Sequence, residues 1–449
     1  MKFVIIGADA AGMSAASRAK RNRPELDVVV LEKTRDVSYS ACSMPYNIAE
    51  PESDIDDLIV RKAEVFRQKQ GINLLTGHEV TAIDPASQRV SGITHSKESF
   101  EFPYDRLLIA TGARPILPDL PGIDSLGVFT LKNLEHGRAI KAYIQKCAVK
   151  KVIIIGMGYI ALEMCESLHA RGIKVDMIKP NPIFLPWMNP ELAEQVKTEV
   201  ESKGITMMAG HKINKIERTG GRLIVQSEDV ALMGDMLLVA TGIRPNSELA
   251  AKAGIALGPG KAISVDTHMR TNVNNIFAAG DCADAIHMVT GNKVWIPLAL
   301  RANRAGWAVA DNVCEKTVSL PGVAGTAVFR VFDMQVARTG LTEDEAKAAG
   351  FDPVTATIKT RSRAHGHSGV GTIWVHMVGD RTSRRLLGVQ MVGSEGVAHR
   401  INAPAVALMT EMEIDQYCQS DLAYAPPFGP VWDPTLVAAN QLIKILEKE

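Results

Sequence analysis

The hydrophobic pattern of this chain repeats. Residues 2–32 read as an apolar run (KFVIIG), a glycine turn, a helix (MSAASRAKRNRP) and a second apolar run (DVVVLE). Residues 150–179 follow the same order, with KKVIIIG, a glycine turn, YIALEMCESLHARG and IKVDMIK. A short continuous apolar run suits a strand buried on both faces, and a helix between two of them predicts a parallel βαβ unit. LLIATGARP at 107–115 and LLVATGIRP at 237–245 are a second repeated pair, each a buried strand ending in Thr-Gly. TNVNNIFAAGDCAD at 271–284 adds a strand that runs into Gly-Asp. From about 321 the pattern changes. TAVFRVFDMQVARTG reads as strands, and a helix follows with Thr342 as its cap and Glu345 three residues on. RRLLGVQMVGSEG reads as strand and turn, and a long helix is expected from about 397 to 411.

Composition narrows the class. At 449 residues, with 46% hydrophobic and 22% charged positions, the chain is globular and long enough for about three domains. Lys+Arg and Asp+Glu number 50 each, so no global field draws nucleic acid or an anionic membrane. No stretch approaches the roughly 20 apolar residues of a membrane span. The N-terminus lacks the basic region of a signal peptide. The six cysteines (Cys42, Cys147, Cys165, Cys282, Cys314 and Cys418) form no CxxC or CxxxxC, which argues against a disulfide framework, a zinc ribbon and a dithiol redox motif. No metal site is expected, and a reducing, cytoplasmic compartment fits best.

The glycine turns carry the chemistry. A helix N-terminus offers unpaired N–H groups and a partial positive charge to a pyrophosphate. The second turn, Gly156-x-Gly158-x-x-Ala161, has the dinucleotide-binding form. The first keeps Gly7 and Gly12 but places Asp9 where the middle glycine belongs. Glu32 ends the second strand of the first unit, where a carboxylate accepts ribose hydroxyls. Lys179 holds the matching place in the second unit, either neutralising a 2′-phosphate, which favours NADPH or dual use, or lying solvated on the surface. Asp281, directly after a strand and a glycine, is placed to bond a polyol hydroxyl.

Taken in this order, the motifs resemble the FAD-dependent pyridine nucleotide–disulfide oxidoreductases over essentially the whole chain. The resemblance implies an α/β chain of two Rossmann-like dinucleotide-binding domains plus a C-terminal α+β dimerisation domain. The implied boundaries are 1–113 and 244–320 for an FAD domain, 114–243 for an NAD(P)H domain and 321–449 for the interface. Gly7, Gly12, Glu32, Lys33, Thr111, Gly112 and Asp281 would serve FAD. Gly156, Gly158, Ala161, Lys179 and Gly242 would serve NAD(P)H.

Ser38-Tyr39-Ser40-Ala41-Cys42-Ser43-Met44-Pro45-Tyr46 carries one cysteine where dithiol members carry two. It resembles the single-cysteine branch, closest to coenzyme A-disulfide reductases and NAD(P)H-dependent persulfide reductases. Cys42 would form a mixed disulfide with coenzyme A or receive sulfane sulfur, its thiolate stabilised by a helix N-terminus and the flavin. Peroxidases and water-forming oxidases carry a histidine in the first glycine turn, where Ala10 and Ala11 stand here. The tail YAPPF-x-PVWDP matches the coenzyme A-disulfide reductase group, and its Tyr424 would assist the Cys42 of a homodimeric partner. A second tyrosine of that group is missing. The loop at 361–369 offers His365 or His367 in its place. A polyanionic substrate asks for polar and basic residues, and Arg18, Arg21, Ser38, Lys62, Asn303, Arg304 and His367 are the candidates, with Arg301, Arg361 and Arg363 as further cations. Many persulfide-reducing relatives carry a rhodanese segment, and without one sulfur would come from another protein. The alternatives are an NAD(P)H oxidase that reduces oxygen and a redox-sensing flavoprotein without turnover.

Overall fold

The structure is a computed structural model in which residues 1–448 are described. Its two βαβ units are the same sheet built twice. The first has parallel strands in the order Ile276–Ala278, Arg106–Ile109, Lys2–Ile6, Asp27–Glu32, Asn73–Thr76. The second runs Val128–Phe129, Met236–Val239, Lys151–Ile155, Lys174–Lys179, Thr206–Ala209. The central strands are apolar after their first lysine because both faces are covered; in the second unit Val152 and Ile154 pack on helices, while Ile153 and Ile155 pack on a small antiparallel sheet, and Phe3, Val4 and Ile5, like Ile153 and Ile154, are fully buried.

Each unit also carries a three-stranded antiparallel sheet before its fourth strand, at 78–103 and at 213–234. The sequence pattern assigns neither stretch. Thr219-Gly220-Gly221-Arg222 turns one hairpin, and Gly-Gly between alternating residues was the available signal.

The two Thr-Gly segments meet each other. Ala113–Pro115 pairs antiparallel with Ile243–Pro245 in a two-strand ribbon. Thr111 Oγ1 donates to the Asn246 carbonyl at 2.6 Å, and Asn246 Nδ2 donates to the Thr111 carbonyl at 2.8 Å.

The C-terminal part is a five-stranded antiparallel sheet in the order Ala327–Val331, Met334–Gly340, Leu386–Gly393, Thr372–Asp380, Pro353–Arg361. Helix Pro434–Leu446 packs on its far strands. Thr342 and Glu345 form the expected reciprocal cap. The long helix expected at 397–411 is two helices, Val397–Arg400 and Asn402–Met409. Pro404 has no N–H to donate to the carbonyl one turn back, so the helix breaks at Ile401. Buried polar groups tie this sheet to the second unit: Gln390 Nε2 donates to the Trp187 carbonyl at 3.1 Å, and Asn189 N donates to Gln390 Oε1 at 2.7 Å. Among the described residues no helix is long and apolar enough to cross a membrane.

The first glycine of each turn leaves no room for a side chain. A Cβ on Gly7, at φ +105°, would lie 2.2 Å from the Ala110 carbonyl oxygen; one on Gly156, at φ +121°, would lie 2.2 Å from that of Ala240. Both conformations suit glycine alone. Gly7→Ala and Gly156→Ala are each expected to lose about 2–4 kcal/mol of stability in chemical denaturation, from backbone strain plus overpacking.

Candidate active site

One continuous cleft of about 2930 Å³ runs between the two βαβ units and under the C-terminal sheet. Its floor is the pair of glycine turns. Gly7 N donates to the Leu31 carbonyl at 2.8 Å and Gly156 N to the Ile178 carbonyl at 2.9 Å, which aims helices Ala10–Asn22 and Tyr159–Ala170 at the cleft by their N-termini. Gly158 caps the second helix, and a Cβ there would meet nothing within 4 Å, so backbone N–H groups face open space. Gly12 and Ala161 lie beneath the floor and do not line the cleft. A Cβ on Gly12 would lie 1.9 Å from the Gly7 carbonyl oxygen, and Ala161 is fully buried. Both let helix and strand pack closely.

Gly7, Glu32, Lys33, Thr111, Gly112, Asp281, Gly156, Lys179 and Gly242 all line the cleft. Glu32 also braces the first turn, its carboxylate accepting from Ala8 N at 2.9 Å and from Thr34 N and Oγ1 at 2.8 Å. Asp281 pairs with Lys132 at 2.8 Å. Lys179 is not the free cation the sequence offered, since Nζ donates to the Ile183 carbonyl at 2.6 Å and burial pulls its pKa down.

Cys42 sits in the 3₁₀ turn Ala41–Ser43, just ahead of helix Met44–Ala49. It is exposed and is the one cysteine lining the cleft among the described residues. Protein alone does not favour its thiolate: crowding by the cleft walls pushes the thiol pKa up, Glu163 pushes it further, and Lys132 opposes them. The following helix is only six residues long. Glu163 accepts a hydrogen bond from the Tyr46 hydroxyl at 3.0 Å, and its own pKa is raised by burial.

The basic candidates divide. Arg21 and Arg304 are exposed on the cleft with no ion-pair or hydrogen-bond partner found for either among the described residues, and Ser38 and Asn303 line it too. Asn303 Oδ1 accepts from Ser14 Oγ at 2.6 Å and so joins the two helices that carry these cations. Arg18 points elsewhere. It forms a two-pronged contact with Asp311, at 2.6 and 2.8 Å, and lies over Trp307. Arg301 is structural as well, for its buried guanidinium donates to the carbonyls of Gly280, Ala283 and Asp284 and pins the Gly-Asp turn. Lys62 is exposed, begins helix Ala63–Gln70 and misses the cleft, whereas its neighbour Arg61 lines it. The Val60 N to Ser38 carbonyl bond, 2.8 Å, sets that alternation and was not visible in the sequence.

His365, His367 and Tyr424 do not line the cleft of their own chain. They share a separate patch, where Ala364 N donates to the Pro426 carbonyl at 3.2 Å and joins the histidine loop to the tail. Arg363 is spent on Glu395 at 2.6 Å, and Arg361 donates to His365 at 2.5 Å. The tail is apolar and open: Tyr424 is 48%, Phe428 79% and Trp432 60% exposed.

The description of pyridine nucleotide-disulphide oxidoreductases matches residues 1–306, and that of their dimerisation domain matches residues 326–434. The chain belongs to this family. Its members use FAD and NAD(P)H. The NAD(P)H coenzyme A polysulfide/persulfide reductase of Pyrococcus horikoshii is 40% identical over 441 residues, 98% of both chains. The NADH oxidase of Methanocaldococcus jannaschii is 33% identical over the full length of both. The NAD-dependent persulfide reductase of A. fulgidus superposes with a TM-score of 0.96 at 34% identity, over 100% of this chain and 84% of that one. The family's cofactors suit the residues present: open N–H groups at two helix starts, a carboxylate at the first strand end, and room over Gly112 and Gly158, where a Cβ would meet nothing within 4 Å.

Sequence reasoning missed Lys132, Glu163 and Arg61, which carry no motif of their own. Glu163 lies one helical turn past Tyr159, and that spacing was the signal for a side chain facing the cleft. Glu163→Gln is expected to lower the Cys42 pKa and speed its alkylation by iodoacetamide at pH 7.5 several-fold. Arg301→Met is expected to cost about 2–4 kcal/mol in thermal denaturation, since it strands buried carbonyls.

Proposed function

We propose that this chain is an NAD(P)H-dependent flavoprotein that reduces the sulfur–sulfur bond of a coenzyme A persulfide, polysulfide or disulfide at Cys42. The observation that carries this reading is a single accessible thiol in a cleft floored by two dinucleotide-type turns. The relatives' names support the substrate class. We propose the three-part division at 113, 243 and 320, with the first part completed by residues 244–320, and a cytoplasmic setting.

FAD, when bound, supplies the two-electron link between NAD(P)H and sulfur. The chain's residues do the rest. The Cys42 thiolate attacks the substrate's sulfur, forming a mixed disulfide and releasing one thiolate. Two electrons that originate in NAD(P)H then cleave that bond, restoring the Cys42 thiolate and releasing the second thiolate. Each departing thiolate takes a proton, or, from a persulfide, leaves as hydrosulfide. Arg21 and Arg304 are free to meet the phosphates of coenzyme A. Tyr424 and the histidine loop serve the partner's cleft in a homodimer; the open apolar tail supports that arrangement.

The reading is tested by anaerobic NAD(P)H oxidation with coenzyme A disulfide and persulfide, beside intact mass with and without dithiothreitol. Cys42→Ser is expected to abolish thiol-dependent turnover, by about a hundredfold or more. Tyr424→Phe is expected to lower kcat about 10- to 100-fold with the nicotinamide KM unchanged. The similarity to an NADH oxidase favours oxygen as a second acceptor. Oxygen consumption that survives Cys42→Ser, without sulfur turnover in the parent, would replace the first reading.

NADPH use is supported by the place of Lys179 at the strand end, once it leaves the Ile183 carbonyl. Lys179→Ala is expected to lower kcat/KM for NADPH more than for NADH.

A further inference from the structure

Asp9 is the residue that the dinucleotide fingerprint does not accommodate. It stands between Gly7 and the first helix, where the fold favours a residue without a side chain so that the backbone can approach a diphosphate. It occupies the N-cap position but makes no capping bond. It lines the cleft beside Ala8 and Ala10. Its Oδ1 is sealed from solvent with no hydrogen-bond partner. The backbone of Tyr39 approaches this carboxyl and favours its ionised form, against the larger effect of burial.

The charges facing it are unfavourable to an anion. Glu32, on the neighbouring strand end, and Asp281, on the Gly-Asp turn, repel it. Lys132 attracts it but is paired with Asp281 at 2.8 Å. The phenol of Tyr39 and the thiol of Cys42 complete the set of titratable groups around it. Burial is the largest influence and raises the carboxyl pKa to about 6. An ionised carboxylate here would meet a bound diphosphate as a like charge; a neutral carboxyl would meet it as a donor.

We propose that Asp9 binds FAD as a neutral acid, its carboxyl O–H donating to the anionic part of the cofactor, so that FAD binding by this chain carries a proton with it. The inference rests on the FAD reading of the first βαβ unit. The side chain thereby replaces the hydrogen bond that a middle-glycine N–H makes when backbone and diphosphate touch. The free protein binds the proton weakly at pH 7.5 and the complex binds it tightly, so affinity is full below pH 6 and falls as pH rises above it.

The test uses the full chain, stripped of flavin and titrated with FAD by calorimetry at pH 7.5 in two buffers of different ionisation enthalpy. Uptake approaching one proton per FAD is expected, vanishing at pH 5. The dissociation constant, read by flavin fluorescence, is expected to weaken by about tenfold per pH unit above neutrality. In Asp9→Asn and Asp9→Gly both effects disappear, and at pH 8.5 the variants bind FAD more tightly than the parent. Binding without proton uptake in the parent overturns the proposal, and so does uptake that persists in both variants. Flavin release from the untreated holoprotein, expected to quicken as pH rises above neutrality, checks the same linkage without any variant; release that does not change with pH overturns it. A chain that takes up no FAD at any pH overturns the FAD reading itself.

Discussion

Two backbone contacts hold the architecture to one geometry. The first glycine of each turn presses against the carbonyl of the alanine before Thr-Gly, so turn, central strand and fourth strand lock at one point in each unit. No side chain fits there. Everything that faces the cleft follows: the helix starts are aimed by that turn, and the Thr-Gly segments leave their strands at that point to pair with each other. The internal repeat in the sequence is therefore the record of one steric requirement met twice.

A second constraint is electrostatic. Glu163, Asp9, Glu32 and Asp281 crowd carboxyl groups around Cys42 and one another, and Lys132, the cation that opposes them at Cys42 and Asp9, is already held by Asp281. Left to the protein, the thiol keeps its proton, and the Asp9 carboxyl holds its own to a higher pH than an exposed aspartate does. The reactive state of the thiol is thus a property of the loaded site, where nucleotides and substrate bring their own dipoles and charges.

The parallel sheets, the glycine turns and the cysteine were legible because each depends on local rules: period, turn chemistry, spacing. What the sequence hid depends on distance. Arg18 and Arg301 look like Arg21 and Arg304 along the chain, yet one is claimed by Asp311 across two helices and the other by three carbonyls of a remote turn. Lys62 was preferred to Arg61 because nothing local tells which of two neighbours faces inward. The break at Ile401 was legible in Pro404 and was overlooked. The small antiparallel sheets were left unassigned because their alternation is weak beside the continuous apolar runs of the parallel strands.

The ribbon of Ala113–Pro115 and Ile243–Pro245 has a consequence for how the two halves of the cleft communicate. Pro115 and Ile243 are directly paired, so the chain leaves the first unit and returns to it at one place. The stretch between those strands carries Lys132 and Glu163, which bear on Cys42 with opposite signs. It also shares one apolar core with Met44 and Ile48, on the helix that follows the thiol. A displacement of that stretch therefore reaches the reactive sulfur instead of being absorbed at the crossing.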